Sequence, residues 1–306
     1  MATGLTSAPR PQPEATDHPV LLSVIVLAWN NLELTRRCVD SVRRNTDTDY
    51  ELIIVDNGSS PEAARYARDA ADYAVLNSSN RGFAIGMNQG LATARGTFTA
   101  FCNNDVVLPD RWASQLVQTA RSTPRAALVV PAVTAASNPL TVRESPVDRI
   151  DVLDPFSAPP PAVVYLLERE LMLRLGGWDE TYPIASGEDV DLCFTIWVND
   201  LDIAFDQRVL VEHVSHATAI HLSDWQQVWA SNRRQFLDKW MGDALPAQLD
   251  TCDPERFLRN RATARSAAGW MDQYFRIRDR GRERRENPPT HRSAALIRAL
   301  RRYLRK

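Results

Sequence analysis

The chain has 306 residues, 44% of them hydrophobic, with 36 basic and 38 acidic side chains and a net charge of −2. That length accommodates one large domain or two small ones. Four cysteines without a CxxC spacing argue against a disulfide framework or structural zinc site and for a reducing compartment, and no apolar run is long enough to span a bilayer.

Residues 1–20, rich in Pro, Ala and Thr, read as a disordered leader. Leu21–Trp29 is a nearly continuous apolar run, expected of a central strand covered on both faces, and it ends in Asn30-Asn31. Leu34, Cys38 and Val42 then recur at helical spacing across residues 32–44. A second strand, Tyr50–Val55, ends in Asp56-Asn57-Gly58-Ser59-Ser60-Pro61, where Gly58 permits a left-handed turn, Ser60 can cap and Pro61 suits a first helical turn. After that helix, Tyr73–Leu76 reads as a third strand. The alternation predicts a parallel, Rossmann-like α/β sheet. Neither GxGxxG nor GxxxxGK[ST] is present, so a nucleotide would have to meet strand-end carboxylates and amides. Gly82, Gly86 and Gly90, four apart, suit close helix packing. Arg81 beside Gly82 is either a phosphate contact or a plain surface arginine.

Thr97–Cys102 reads as a strand running into Asn103-Asn104-Asp105, with Pro109 opening a helix to Arg121. Polar groups at the carboxyl end of a buried strand sit where open α/β sheets bind ligands, although Asn and Asp also favour ordinary turns. A strand at Ala127–Val130 precedes a long, Pro-rich loop over 131–161. Val163–Leu167 resumes as strand, and a short helix over 169–175 ends at Gly176-Gly177. Ser186 and Asp189 match a capping box before a helix with Glu188 and Asp191 in its first turn, which explains one of its carboxylates better than three. Strands over 202–205 and 209–214 end at His213-Val214-Ser215-His216, and an amphipathic helix follows over 222–240. From Glu255 onward lie 16 of the basic residues and 5 of the acidic ones, so this segment carries +11 and the rest −13. Within it Leu296, Ile297, Leu300 and Leu304 fall at helical spacing among arginines. Such a helix could contact an anionic membrane peripherally, pack on the body of the protein or form a homodimer. Nucleic acid is not an expected partner.

Six motifs occur in order: Val24–Asn30, Ile53–Ser60, Asn80-Arg-Gly-Phe-Ala84, Asn103-Asn-Asp105, Gly176-Gly-Trp-Asp-Glu180 and Glu188-Asp-Val-Asp-Leu-Cys193. Together they resemble family 2 glycosyltransferases of the GT-A fold over about residues 21–220, especially the rhamnosyltransferase-like branch. The resemblance implies an α/β fold whose mostly parallel, Rossmann-like sheet is flanked by helices. It implies a catalytic domain at 21–240, divided into a nucleotide-binding half (21–130) and an acceptor half (131–240), and a helical basic extension at 241–306. The implied reaction is metal-dependent, inverting transfer from a UDP- or dTDP-linked sugar to a hydroxyl of a carbohydrate or lipid-linked acceptor, in the cytoplasm or on the inner face of its membrane.

Residue by residue, the resemblance gives Asp56 the nucleotide base, with Asn30 and the Ala28 backbone lining the same pocket and Arg81 near the diphosphate. Asn57, Gly82, Asn88, Asn103 and Asn104 join the donor side. Asp105 would hold Mn²⁺ or Mg²⁺ with His213, Asp189 would be the general base with Glu188 beside it, and Trp178, Asp191 and His216 would face the acceptor. Three departures stand out: Asn103 replaces the first acid of the DxD motif, Thr195 stands where the family often has Arg, and His216 adds a second imidazole. A sugar-nucleotide nucleotidyltransferase and a non-catalytic sugar-nucleotide binder remain as alternatives. Against the first, Ala28-Trp-Asn-Asn31 is not the glycine-rich basic loop it requires.

Overall fold

The computed structural model describes residues 20–136, 141–153, 160, 162–214, 225–243 and 246–283. Its first half alternates as the pattern of apolar runs predicts: β1 (Leu22–Ala28), α1 (Leu32–Asn45), β2 (Tyr50–Asp56), α2 (Pro61–Ala70), β3 (Tyr73–Leu76), α3 (Phe83–Thr93) and β4 (Phe98–Asn103). β1, β2 and β4 bury nearly every side chain because helices cover both faces of the sheet. The Ser60 hydroxyl accepts from the Ala63 amide at 3.4 Å, so α2 starts on the expected cap. The glycine spacing in α3 is also accounted for: a Cβ at Gly86 would meet Leu27 Cδ1 at 2.5 Å, and one at Gly90 would meet Ile25 Cγ2 at 2.4 Å. Only glycine lets this helix lie so close to β1.

The remaining elements are β5 (Val106–Val107), α4 (Trp112–Ser122), β6 (Ala126–Val133), β7 (Ile150–Val152), β8 (Val164–Glu168), α5 (Arg169–Arg174), α6 (Glu188–Val198), β9 (Asp202–His213), α7 (Trp225–Met241) and α8 (Pro254–Glu283). One sheet runs β3-β2-β1-β4-β8-β6-β9-β5, with β7 also on β9. β3, β2, β1 and β4 are parallel, as are β6 and β9, but β8 runs antiparallel to both β4 and β6.

Several boundaries differ from the expectation. Pro109 does not open a helix, because Val106–Val107 first pair with Glu212 and His213, and α4 begins only at Trp112. The two last strands are a single strand, β9, interrupted by a register shift: adjacent Pro131 and Ala132 of β6 pair with Asp206 and Leu210. The 131–161 loop contains β7, and the expected division between halves at 130/131 falls inside β6.

Each sheet face carries its own core. One is built with α1, α2 and α4 around Trp112. The other takes in Trp178 and Trp240 from the segments before α6 and within α7, and it extends to Phe257, Ala264 and Ala268 of α8. The start of the basic extension is therefore packed on the body. Among the described residues no helix is long and apolar enough to cross a membrane.

Candidate active site

The parallel strands bring their carboxyl ends to one edge, where Ala28 lies opposite Asp56 and Leu27 opposite Asn103. Asp56, the last residue of β2, is buried. Its Oδ2 accepts from the Ser59 amide at 3.3 Å, while Oδ1 is buried without a hydrogen-bond partner among the described residues. Asn30 is exposed in a left-handed conformation (φ 54°), its amide donating to Ser59 Oγ at 2.8 Å, and the Ala28 carbonyl accepts from Asn57 N at 2.7 Å. An aspartate with one oxygen unpaired among the described residues thus sits at the edge formed by the β1 and β2 termini.

The neighbouring amides have other work. Asn57 donates to Asn80 Oδ1 (2.9 Å) and the Gly82 carbonyl (3.0 Å) and accepts from the Arg81 amide (2.9 Å), so it shapes the 77–82 loop instead of offering its side chain to a ligand. That loop leaves the Arg81 side chain exposed. Asn88, expected on the donor side, donates to the Trp178 carbonyl (2.8 Å) and to Glu180 (2.9 Å) and accepts from the Trp178 amide (2.9 Å). It pins the Gly176–Glu180 turn. Asn104 is buried and donates to Thr35 Oγ1 at 2.9 Å, tying the end of β4 to α1. Asn103 closes β4 half-buried, its amide bonded to the Val163 carbonyl.

Asp105 and His213 meet because β5 pairs with the end of β9. His213 Nε2 lies 3.4 Å from Asp105 Oδ1, a buried oxygen with no hydrogen bond of good geometry among the described residues. His213 Nδ1 is 2.6 Å from the Ala135 carbonyl. That contact assigns the proton to Nδ1 and leaves Nε2 turned to the carboxylate, the arrangement a metal-binding imidazole adopts. Burial works against the imidazolium, but the close Asp105 carboxylate outweighs it and raises the His213 pKa. No cluster of three His, Cys, Asp or Glu side chains suited to a metal occurs among the described residues. One carboxylate and one imidazole, with an unpartnered oxygen between them, fit a divalent cation whose other ligands are phosphate oxygens and water. His216 lies outside the described residues.

The second acidic station opens α6. The capping box does not form: Gly187 (φ 100°) is the N-cap and no side chain caps the helix. Ser186 has φ 81°, and Asp189 Oδ1 accepts instead from the Val190 amide at 2.9 Å. Burial raises the Asp189 pKa, while the amides of Val190, Gly187 and Ala162 favour its charged form. Glu188 is buried with Oε2 unpartnered among the described residues, and burial together with the Asp189 charge pushes its pKa up to about 8. The Phe83 amide donates to the Ile184 carbonyl at 2.5 Å, which joins this station to the start of α3 and hence to the same edge of the sheet.

Two residues expected at the acceptor are committed elsewhere. Asp191 is buried and accepts from Lys239 Nζ (2.8 Å), Trp240 Nε1 (2.9 Å) and Tyr182 Oη (3.2 Å). It fastens α6 to α7. The Trp178 ring is fully buried, stacked on Tyr165 and met edge-on by Phe83 and Phe101. Neither offers a surface to an acceptor.

With this geometry in place, comparison with known proteins is decisive at the level of the domain: residues 23–160 match the sequence model of glycosyl transferase family 2. That segment is similar to the domain of family 2 glycosyltransferases. The chain is 30% identical over 235 residues to the pre-mycofactocin glycosyltransferase of Mycobacterium tuberculosis, covering 71% of this chain and 46% of that protein. It is 33% identical over 103 residues to the putative glycosyltransferase EpsH of Bacillus subtilis, covering 32% and 30%. The chain thus spans less than half the length of these relatives. Among solved structures, GalNAc-T7 with UDP, GalNAc and Mn²⁺ superposes with a TM-score of 0.55 at 17% identity, over 81% of this chain and 55% of that one. S. aureus TarS gives 0.56 at 13% identity, over 81% and 70%. At these identities the likeness is one of fold, and the fold is GT-A: an α/β sheet, mostly parallel but mixed, flanked by helices.

The family 2 segment supplies Asp56, Arg81 and Asp105. His213 and the Glu188–Asp189 pair come from residues beyond it. Lys239 and Tyr182, which bond Asp191 beside the second station, were not legible in sequence. They read there as polar or aromatic positions on or near an amphipathic helix, with nothing to show what they bind.

Proposed function

We propose that the chain is a metal-dependent, inverting glycosyltransferase, of the rhamnosyltransferase-like kind, that moves a sugar from a UDP- or dTDP-linked donor to a hydroxyl of a carbohydrate or lipid-linked acceptor. One observation carries the reading: among the described residues Asp56 Oδ1, Asp105 Oδ1 and Glu188 Oε2 are buried carboxylate oxygens without hydrogen bonds, the first two at the carboxyl ends of β2 and β4 and the third on α6, whose approach is bonded to the start of α3. Leaving such atoms unpaired is costly, and three together mark a site built for something else.

In this reading Asp56 accepts from the nucleotide base, with Asn30 and the Ala28 backbone beside it. Asp105 and His213 Nε2 would hold Mn²⁺ or Mg²⁺, which when bound neutralises the diphosphate as it leaves. Relatedness in fold to GalNAc-T7, crystallised with UDP and Mn²⁺, supports that choice of ligand. Asp189 takes the proton of the acceptor hydroxyl. It is preferred to Glu188 because it is half-buried and can meet an acceptor, whereas Glu188 is enclosed and its raised pKa keeps it protonated near neutral pH. Asp189 stands on a different element from the metal station, as attack from the face opposite the leaving group requires.

The basic extension divides. Phe257, Ala264 and Ala268 pack on the body, which supports a structural role for the start of α8. Peripheral contact with an anionic membrane, or a homodimer, then falls to the residues after α8, outside the described residues.

Thermal shift with UDP and dTDP, with and without Mn²⁺, tests the proposal, because a ligand that binds only the folded state raises Tm. Asp105→Ala should abolish the Mn²⁺-dependent part of that rise while leaving the Tm of the free protein near wild type. Nucleotide binding indifferent both to EDTA and to this substitution would overturn the metal assignment.

A further inference from the structure

Residues 183–187, the strap in front of Glu188 and Asp189, are held in an unfavourable shape. Ile184 (φ 66°), Ser186 (φ 81°) and Gly187 (φ 100°) all lie in the left-handed region, which a β-branched residue such as Ile184 strongly avoids. No side chain caps the helix the strap enters. Conformations of this kind persist only when the surroundings over-determine them.

Beside the backbone bonds at Ile184 and Gly187, one side chain meets three of the strap's carbonyls. Asn232 of α7 is buried, and its Nδ2 donates to the carbonyls of Pro183 (3.1 Å), Ala185 (2.8 Å) and Ser186 (2.8 Å). Its Cβ lies 3.6 Å from where a Cβ at Gly187 would stand. With two N–H groups and three acceptors, one bond is shared, and the convergence fixes the orientation of the side chain, since a flipped amide would set its oxygen against three carbonyls. The same orientation leaves Asn232 Oδ1 buried and, among the described residues, unpartnered, a cost that a merely space-filling residue would not carry. The support beneath Asn232 is firm. Seven residues on, Lys239 bridges Asp179 (2.6 Å) and Asp191 (2.8 Å), and Trp240 donates to Asp191 (2.9 Å).

We propose that Asn232 is a positioning residue for the transfer reaction: by gathering three strap carbonyls it holds residues 183–187 in their left-handed shape and so sets the direction in which the Glu188–Asp189 pair faces the acceptor. The proposal rests on the reading of Asp189 as the base. Asn232 touches neither donor nor acceptor, so its loss should act on turnover and spare nucleotide affinity. A misplacement of about 1 Å in a catalytic group suffices for a loss of roughly 100-fold.

The test uses the full chain. Asn232→Asp keeps the shape and removes the donor. Amide hydrogen exchange over 184–187 should quicken at least tenfold. The Kd for UDP with Mn²⁺, by calorimetry, should stay within twofold of wild type. Release of sugar to water from the UDP- or dTDP-sugar that turns over best should fall at least 30-fold in kcat. Because Asn232→Asp risks a wider loss of structure, Ile184→Gly is added to an Asn232→Ala background: glycine adopts the left-handed shape without a brace, so part of the lost kcat should return. Unchanged exchange in the strap, full kcat despite faster exchange, loss of UDP affinity in parallel with kcat, or no recovery with Ile184→Gly would each overturn the proposal. Exchange is read without turnover, so it reports on Asn232 even where Asp189→Asn places the base elsewhere, and the two failures stay distinct.

Discussion

Asp189 and Asp191 stand two residues apart and do opposite things. Positions i and i+2 of a helix point away from each other, so Asp191 meets Lys239 and Trp240 while Asp189, half-buried, accepts from the Val190 amide. Sequence showed the acids but not this division, and for the same reason it could not see that Trp178 turns into the core or that Asn88 serves a turn. Strand-end acids were legible. Asp56 and Asp105 follow apolar runs that must be buried, so their carboxyl groups can only emerge at the sheet edge. Replacing Asp189 by Asn should leave UDP and Mn²⁺ binding intact and lower turnover by roughly 100-fold or more, since the side chain keeps its size and loses its basicity. Near-wild-type turnover would move the base to another residue.

Glu188 offers a test that needs no substrate. Its pKa is near 8 when folded and close to 4.5 when unfolded, with Asp189, Asp191, Tyr165 and Tyr182 as the titratable groups around it. Between those values the folded state holds a proton that the unfolded state has lost, so stability drains away as pH rises through that interval. Glu188→Gln should therefore raise the Tm of the free protein little at pH 5 and progressively more up to pH 8. An equal effect at both pH values would show that Glu188 ionises normally.

At the scale of elements, the long strands and helices of the first half could be read from sequence because each shows several turns of its own periodicity. Val106–Val107 could not, since two residues display no period, and their pairing with β9 is what brings His213 to Asp105. The direction of β8 was equally hidden, because an apolar run looks the same whichever way it runs. Helix α7 joins the body through the Lys239 bridge to Asp179 and Asp191, in which Asp191 is almost wholly buried. Lys239→Met keeps the apolar stem and strands that carboxylate, which predicts a loss of about 3 kcal/mol in denaturant unfolding. The double variant Lys239→Met, Asp191→Leu should recover part of it. A single variant as stable as wild type would mean that water replaces the lysine.

For the whole molecule, an acidic body and a basic C-terminal segment make a dipolar chain, and salt can tell what the basic end does. Attraction to lipid phosphates fades as the Debye length shrinks, whereas a packed apolar face is indifferent to ionic strength. Deleting residues 287–306 should reduce flotation with anionic liposomes at low salt and leave UDP binding unchanged. Full-length protein that ignores such liposomes at low ionic strength would assign the segment to packing or self-association. The position of β8, finally, bears on how the chain comes into being. It lies between β4 and β6, and its Glu168 pairs with Phe98, 70 residues earlier. While the ribosome has yet to deliver β8, the four parallel strands already made end in a bare, apolar edge at β4, open to any strand that passes. Nascent protein should be safest from mispairing only after residue 168 clears the exit tunnel, so translation speed through the 131–161 stretch sets how long that edge waits.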